Sequence, residues 1–75
     1  SFAIEGRGPV PVTVTVYDVL GRRVRTLWDG PAAPGERDLD WDGLDESGAR
    51  ARSGVYLARV RVGDQERSLK LLLAR

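Results

Sequence analysis

The alternation Val12-Thr13-Val14-Thr15-Val16-Tyr17 constrains this chain more than any other feature. A period of two puts the valines on one face and Thr13, Thr15 and Tyr17 on the other, as in a strand with one side buried. Residues 12–16 are all β-branched, which suits a pleated backbone. Pro9 and Pro11 stand at the start of the run, where a missing N–H costs least. The same period returns at 55–62, where Tyr56, Ala58, Val60 and Val62 share a face and Arg59 and Arg61 take the other. It returns again at 65–73, with Leu69, Leu71 and Leu73 in register. No segment sustains a 3.6-residue apolar period over three turns, which excludes a helical fold.

Turn chemistry divides these runs. Asp18-Val19-Leu20-Gly21 reads as a tight turn, and Gly63-Asp64 as a two-residue hairpin loop of type II′, with glycine first. Arg22 to Trp28 is the returning strand. The three-residue spacing of its inward residues, Val24 and Leu27, predicts a bulge or a strand end near Thr26. Residues 29–35 read as a loop. Glu36 to Trp41 alternates again, with Leu39 and Trp41 inward and Arg37 beside them. Residues 42–54 are irregular, with room for a short strand at Ala49–Arg52, and Phe2 and Ile4 mark an N-terminal strand. The expected fold is all-β: an antiparallel β-sandwich of immunoglobulin-like or fibronectin-like type with about seven short strands. A small open barrel is the alternative. The 75 residues make one domain, 1–75.

The chain has no Cys, His or Met. Disulfides, thiol nucleophiles, zinc fingers, haem ligation and histidine-dependent triads are therefore excluded. Carboxylates and hydroxyls remain, and paired acids such as Asp42 and Asp45 are the candidates for acid–base work. Both sit on a glycine-rich loop with no sign of a substrate cleft, so the reading is non-enzymatic, with no cofactor and no metal. The net charge of +1 gives no platform for nucleic acid or an anionic membrane. No run approaches the ~20 apolar residues of a transmembrane segment.

Three constellations bear on binding. Asp38, Asp40 and Asp42 precede Gly43 in the opening pattern of a calcium loop, but the closing acid falls on Ala49. The alternative is a solvent face opposite Leu39 and Trp41. Charge is segregated: residues 36–46 hold six acids and one arginine, while Arg22, Arg23 and Arg25 form one basic group and Arg50, Arg52, Arg59 and Arg61 another. These groups are either a face for an acidic partner or cross-strand ion pairs. The aromatics Phe2, Tyr17, Trp28, Trp41 and Tyr56 are either packing residues or, at Trp28, a platform for a sugar ring. Trp41 is the expected large central core residue, with Tyr56 near it. Gly21, Gly43, Gly48 and Gly54 fall where strands reverse and positive φ is expected.

Four segments carry a resemblance. Residues 14–27, from Val14-Thr15-Val16-Tyr17-Asp18 through Gly21-Arg22 to Leu27, resemble the opening of bacterial Ig-like C-terminal modules. Trp41-Asp42-Gly43-Leu44-Asp45-Glu46-Ser47-Gly48 resembles their W-D-G-x-D-x-x-G signature, and Ser53-Gly54-Val55-Tyr56 their S/A-G-x-Y. The final strand bearing Lys70 and reaching Arg75 resembles their end. Two related groups share the pattern: the C-terminal sorting domain of the type IX secretion system and the Ig-like domain of the flagellar hook-capping protein.

The sorting resemblance implies a β-sandwich at the C-terminus of a larger exported protein. Its partners would be the outer-membrane secretion machinery, a surface signal peptidase and an N-terminal cargo domain in the same chain. It implies passage through the periplasm to the outer-membrane surface or the medium. The residues it points to for recognition are Gly54, Tyr56, Gly63, Asp64, Lys70 and Arg75. Tyr17, Asp18, Gly21, Trp41, Asp42, Gly43, Asp45 and Gly48 would specify the fold. The sequence departs from that group in its many arginines, its single lysine and its leucine-rich last strand. A structural or carbohydrate-adhering Ig-like accessory module of an extracellular enzyme or of a hook-capping-like protein is therefore the alternative.

Overall fold

A computed structural model describes residues 2–74. Arg75, one of the residues singled out above, lies outside the described residues. Six strands form: β1 (Phe2–Ile4), β2 (Val10–Tyr17), β3 (Arg23–Ala32), β4 (Gly35–Arg37), β5 (Gly54–Val62) and β6 (Gln65–Leu73). They make two antiparallel sheets, β1-β4 and β3-β2-β5-β6. The all-β, Ig-like sandwich is therefore what the chain adopts, with six strands among the described residues instead of about seven.

The core follows the alternation. Ile4, Val12, Val14 and Val60 form the buried cluster, each 3% exposed or less, and Phe2, Val10, Leu27, Leu39, Val62 and Leu69 pack around it. Val16, Ala58 and Tyr56 continue the buried row along the same face. Burying a side chain of this size contributes about 1.5–3 kcal/mol. With a core this small, each member of the row carries a large share of the stability.

Three expectations need correction. β3 runs on through Asp29–Ala32, the expected loop, pairing Val12 with Gly30 and Pro11 with Pro31. Neither proline has an N–H, so they can face each other only across a non-hydrogen-bonded pair. The expected strand from Glu36 to Trp41 stops at Arg37, because Asp38–Trp41 find no partner strand. The expected strand at Ala49–Arg52 shrinks to one bridge, Leu44 to Arg50. The irregularity foreseen near Thr26 is real and double: the register of β2 against β3 shifts between Val14 and Thr15 and again between Val16 and Tyr17. Leu27 and Val24 are the extra residues of these two bulges.

Gly63 takes φ 58° and no non-glycine residue among the described residues has positive φ, so the β5–β6 turn has the type II′ form. Gly21, Gly43, Gly48 and Gly54 all adopt positive φ, at 80°, 79°, 88° and 154°.

Candidate functional site

The motif residues gather at one end of the sandwich, where they hold two loops in place. The Asp18 carboxylate accepts hydrogen bonds from the backbone N–H of Leu20 and of Arg22, both at 2.9 Å, and from Arg22 Nε at 2.8 Å. The Gly21 N–H donates to the Asp18 carbonyl and closes the turn. These donors, the Arg22 backbone N–H first, hold the Asp18 carboxyl below its ordinary pKa. The turn is thus complete in itself, yet it projects Val19 and Leu20 into water, 73% and 74% exposed.

The second loop is built on Trp41-Asp42-Gly43. The Trp41 indole N–H donates to the Leu44 carbonyl at 2.9 Å, and the indole meets the Tyr56 ring edge to face. The Tyr56 hydroxyl donates to the Arg52 carbonyl at 2.6 Å. Asp42 caps the Leu44 N–H and pairs with Arg25 Nη1 at 2.9 Å. Asp45 accepts from the Ser47 hydroxyl at 2.6 Å and from the N–H groups of Ser47 and Ala49, and its pKa is lowered, chiefly by that hydroxyl. Trp41 is not the central core residue expected above. It is half-buried on an irregular segment, and its N–H ties it to the loop. Tyr56 is buried, so it presents no side chain to a partner.

The two edges of the larger sheet differ. β3 is guarded three ways. The Glu46 N–H donates to the Val24 carbonyl, and the Glu46 carboxylate accepts from the Thr26 N–H. The bulge at Leu27 breaks the strand's regularity, and Pro31 removes a donor. β6 has none of these devices among the described residues. Its nine residues pair with β5 in unbroken register. Lys70 is exposed on it, opposite Leu57, and Leu72, 74% exposed, lies opposite Val55.

The outer face of this sheet pairs its charges. Arg59 and Arg61 share Glu66 at 3.7 and 3.4 Å, and the Arg59 guanidinium sits 5.0 Å above the Tyr17 ring. With Arg25 on Asp42 and Arg22 on Asp18, much of the arginine clustering in the sequence resolves into pairing between neighbouring elements. The aspartates 38, 40 and 42 do not converge. Asp42 turns to Arg25, and no group of three or more potential ligands comes together among the described residues. A groove of about 330 Å³ opens between the sheets beside Trp28, which is 50% exposed with its indole N–H on the Gly30 carbonyl. The bulge at Leu27 sets Trp28 beside this groove, a placement that the spacing of Val24 and Leu27 hinted at without fixing. Among the described residues no helix is long and apolar enough to cross a membrane.

Comparison with known families and proteins agrees with this architecture. The family model of the FlgD Ig-like domain matches residues 1–66. No curated protein and no solved structure matches the chain. A match over most of its length, on an antiparallel two-sheet fold, establishes that the chain belongs to the FlgD Ig-like domain family.

Proposed function

We propose that this chain is a non-catalytic sorting module, a signal read by the outer-membrane machinery of type IX secretion and carried by an exported cargo protein. The observation that supports this reading best is the contrast between the two sheet edges. A strand that turns the N–H and C=O groups of its alternate residues outward, with no bulge, proline or covering loop, is a template for strand addition. The Gly63-Asp64 turn starts this edge and Lys70 stands midway along it. In this reading the receptor supplies a strand to β6, while Lys70 and Asp64 set register by charge. Gly54 and Tyr56 contribute by fixing β5 beneath it. The cargo lies N-terminal to the domain, which passes through the periplasm and is cut away at the surface.

A reporter fused to the N-terminus of this chain tests the reading in a host that has the translocon. The expected result is surface display of the reporter, reduced by Lys70→Ala without loss of folded protein. Retention of a folded fusion in the periplasm overturns it. Deletion of β6 is a poor substitute, since the loss of Leu69, Leu71 and Leu73 removes about 1.5–3 kcal/mol for each side chain that is buried.

The second reading, a carbohydrate-adhering accessory module, is favoured by Trp28 beside the open groove. Affinity electrophoresis through soluble polysaccharides checks it. Retardation that disappears in Trp28→Ala supports it, and equal mobility in every gel removes it.

A further inference from the structure

The ion pairs described above leave some arginines unmatched. Arg23, Arg50 and Arg52 are exposed, and their guanidinium groups have no hydrogen-bond or ion-pair partner among the described residues. All three line one cleft of about 680 Å³ at the end of the sandwich, between the Asp18–Arg22 turn and the segment leading into β5. They come from two places, the first residue of β3 and the loop before β5. The cleft also holds Asp18, Asp45 and Glu46: the turn engages both Asp18 oxygens, while Ser47 and Ala49 engage one oxygen of Asp45 and the Thr26 N–H one oxygen of Glu46. Four arginines against three acids leave a formal +1 in the cleft, and three of the four guanidinium groups have no partner among the described residues.

Apolar groups stand in the same cleft. Val19 and Leu20 line it from the tip of a turn whose own hydrogen bonds are complete, and Val55, 38% exposed, lines it from β5. Large apolar side chains held out on a rigid turn beside unpaired guanidinium groups match a ligand with both carboxylates and apolar side chains. Inorganic anions would leave Val19 and Leu20 uncovered, and a purely apolar segment would leave the arginines unmatched.

We propose that this cleft is a docking site for an acidic peptide segment of a partner protein, one that sets carboxylates against Arg23, Arg50 and Arg52 and an apolar side chain against Val19 and Leu20. The site is separate from the β6 edge, and the proposal stands or falls independently of the sorting reading.

Fluorescence anisotropy with the 75-residue chain tests it. The probe is a labelled peptide of about eight residues made of glutamate and leucine, with glutamine–leucine and lysine–leucine peptides and a single-stranded DNA of similar charge as comparisons. The expected result is saturable binding of the acidic peptide that weakens with salt, with each comparison at least about tenfold weaker. Combined Arg23→Gln, Arg50→Gln and Arg52→Gln should weaken it about tenfold, as should combined Val19→Ser and Leu20→Ser. Combined Arg59→Gln and Arg61→Gln, on the sheet face outside the cleft, should leave it within about twofold. All of these positions are exposed, and each variant's urea midpoint verifies its fold. Binding that survives the triple arginine change overturns the proposal, as does equal binding of DNA. Absence of binding at millimolar peptide does the same.

Discussion

The rings of Trp41 and Tyr56 meet edge to face, their centroids 4.9 Å apart and their planes inclined at 67°. Each ring also spends its polar atom on a backbone carbonyl, Trp41 on Leu44 and Tyr56 on Arg52. The pair thus clamps both ends of the loop between β4 and β5. Tyr56→Phe keeps the ring contact and loses one hydrogen bond, an expected cost of about 0.5–1.5 kcal/mol. Trp41→Ala loses the contact, the loop anchor and the packed area, an expected cost of about 2–4 kcal/mol. Urea unfolding of the two variants separates these contributions.

Asp18 and Asp45 both have pKa values below the ordinary carboxylate value. For a depressed carboxylate the folded state binds its proton more weakly than the unfolded chain. The stabilisation is complete above the unfolded value of about 3.9 and is lost as pH falls through the lower folded value. The urea midpoint should therefore hold steady from neutral pH to about pH 5 and fall below about pH 4. Asp18→Asn and Asp45→Asn should lower the midpoint at pH 7 and flatten the fall in acid. An acid limb as steep in the double variant as in the parent would assign the loss to other groups.

Gly21 and Gly8 make a matched pair of tests. A Cβ built on either meets nothing within 4 Å, but Gly21 sits at φ 80° and Gly8 is not among the glycines with positive φ. Gly21→Ala should therefore cost about 1–2 kcal/mol through backbone strain alone. Gly8→Ala should be neutral or stabilise by up to about 1 kcal/mol, by narrowing the unfolded ensemble. Thermal unfolding of the two variants checks the contrast.

Leu72 faces solvent on the unguarded edge, next to Val55. Leu72→Lys should change stability by no more than about 0.5 kcal/mol. It should also raise the protein concentration at which light scattering begins, because a charge on an open edge opposes pairing between molecules. Unchanged scattering would place the sticky surface elsewhere, with Val19 and Leu20 the next apolar residues to replace.

Side-chain facing was more legible than strand pairing. Asp38, Leu39, Asp40 and Trp41 alternate in exposure as their sequence does, although no strand forms there. Alternation reports which side a residue faces, whereas a ladder needs a partner that local sequence does not name. Pro31 failed in the opposite sense. A proline between a glycine and two alanines reads as a loop, and only its position opposite Pro11 makes an edge strand acceptable there. The motif aspartates were legible as turn residues because Asp18, Asp42 and Asp45 each bond the chain within four residues. The cleft was not legible. Arg22, Arg23 and Arg25 are near neighbours in sequence, yet one is bound by Asp18, one by Asp42, and Arg23 alone of the three has a guanidinium with no partner among the described residues. Which of the three keeps its donors depends on a bulge and on a loop packed against β3.

The guarded β3 and the open β6 also limit how this sheet can grow. A sheet with two open edges can take up copies at both ends and lengthen without limit. Here Glu46, the Leu27 bulge and Pro31 block one end. Any pairing of identical molecules through the open edges uses both of them up and closes as a two-fold pair. The larger sheet can therefore be extended once, in one direction, and cannot seed a filament.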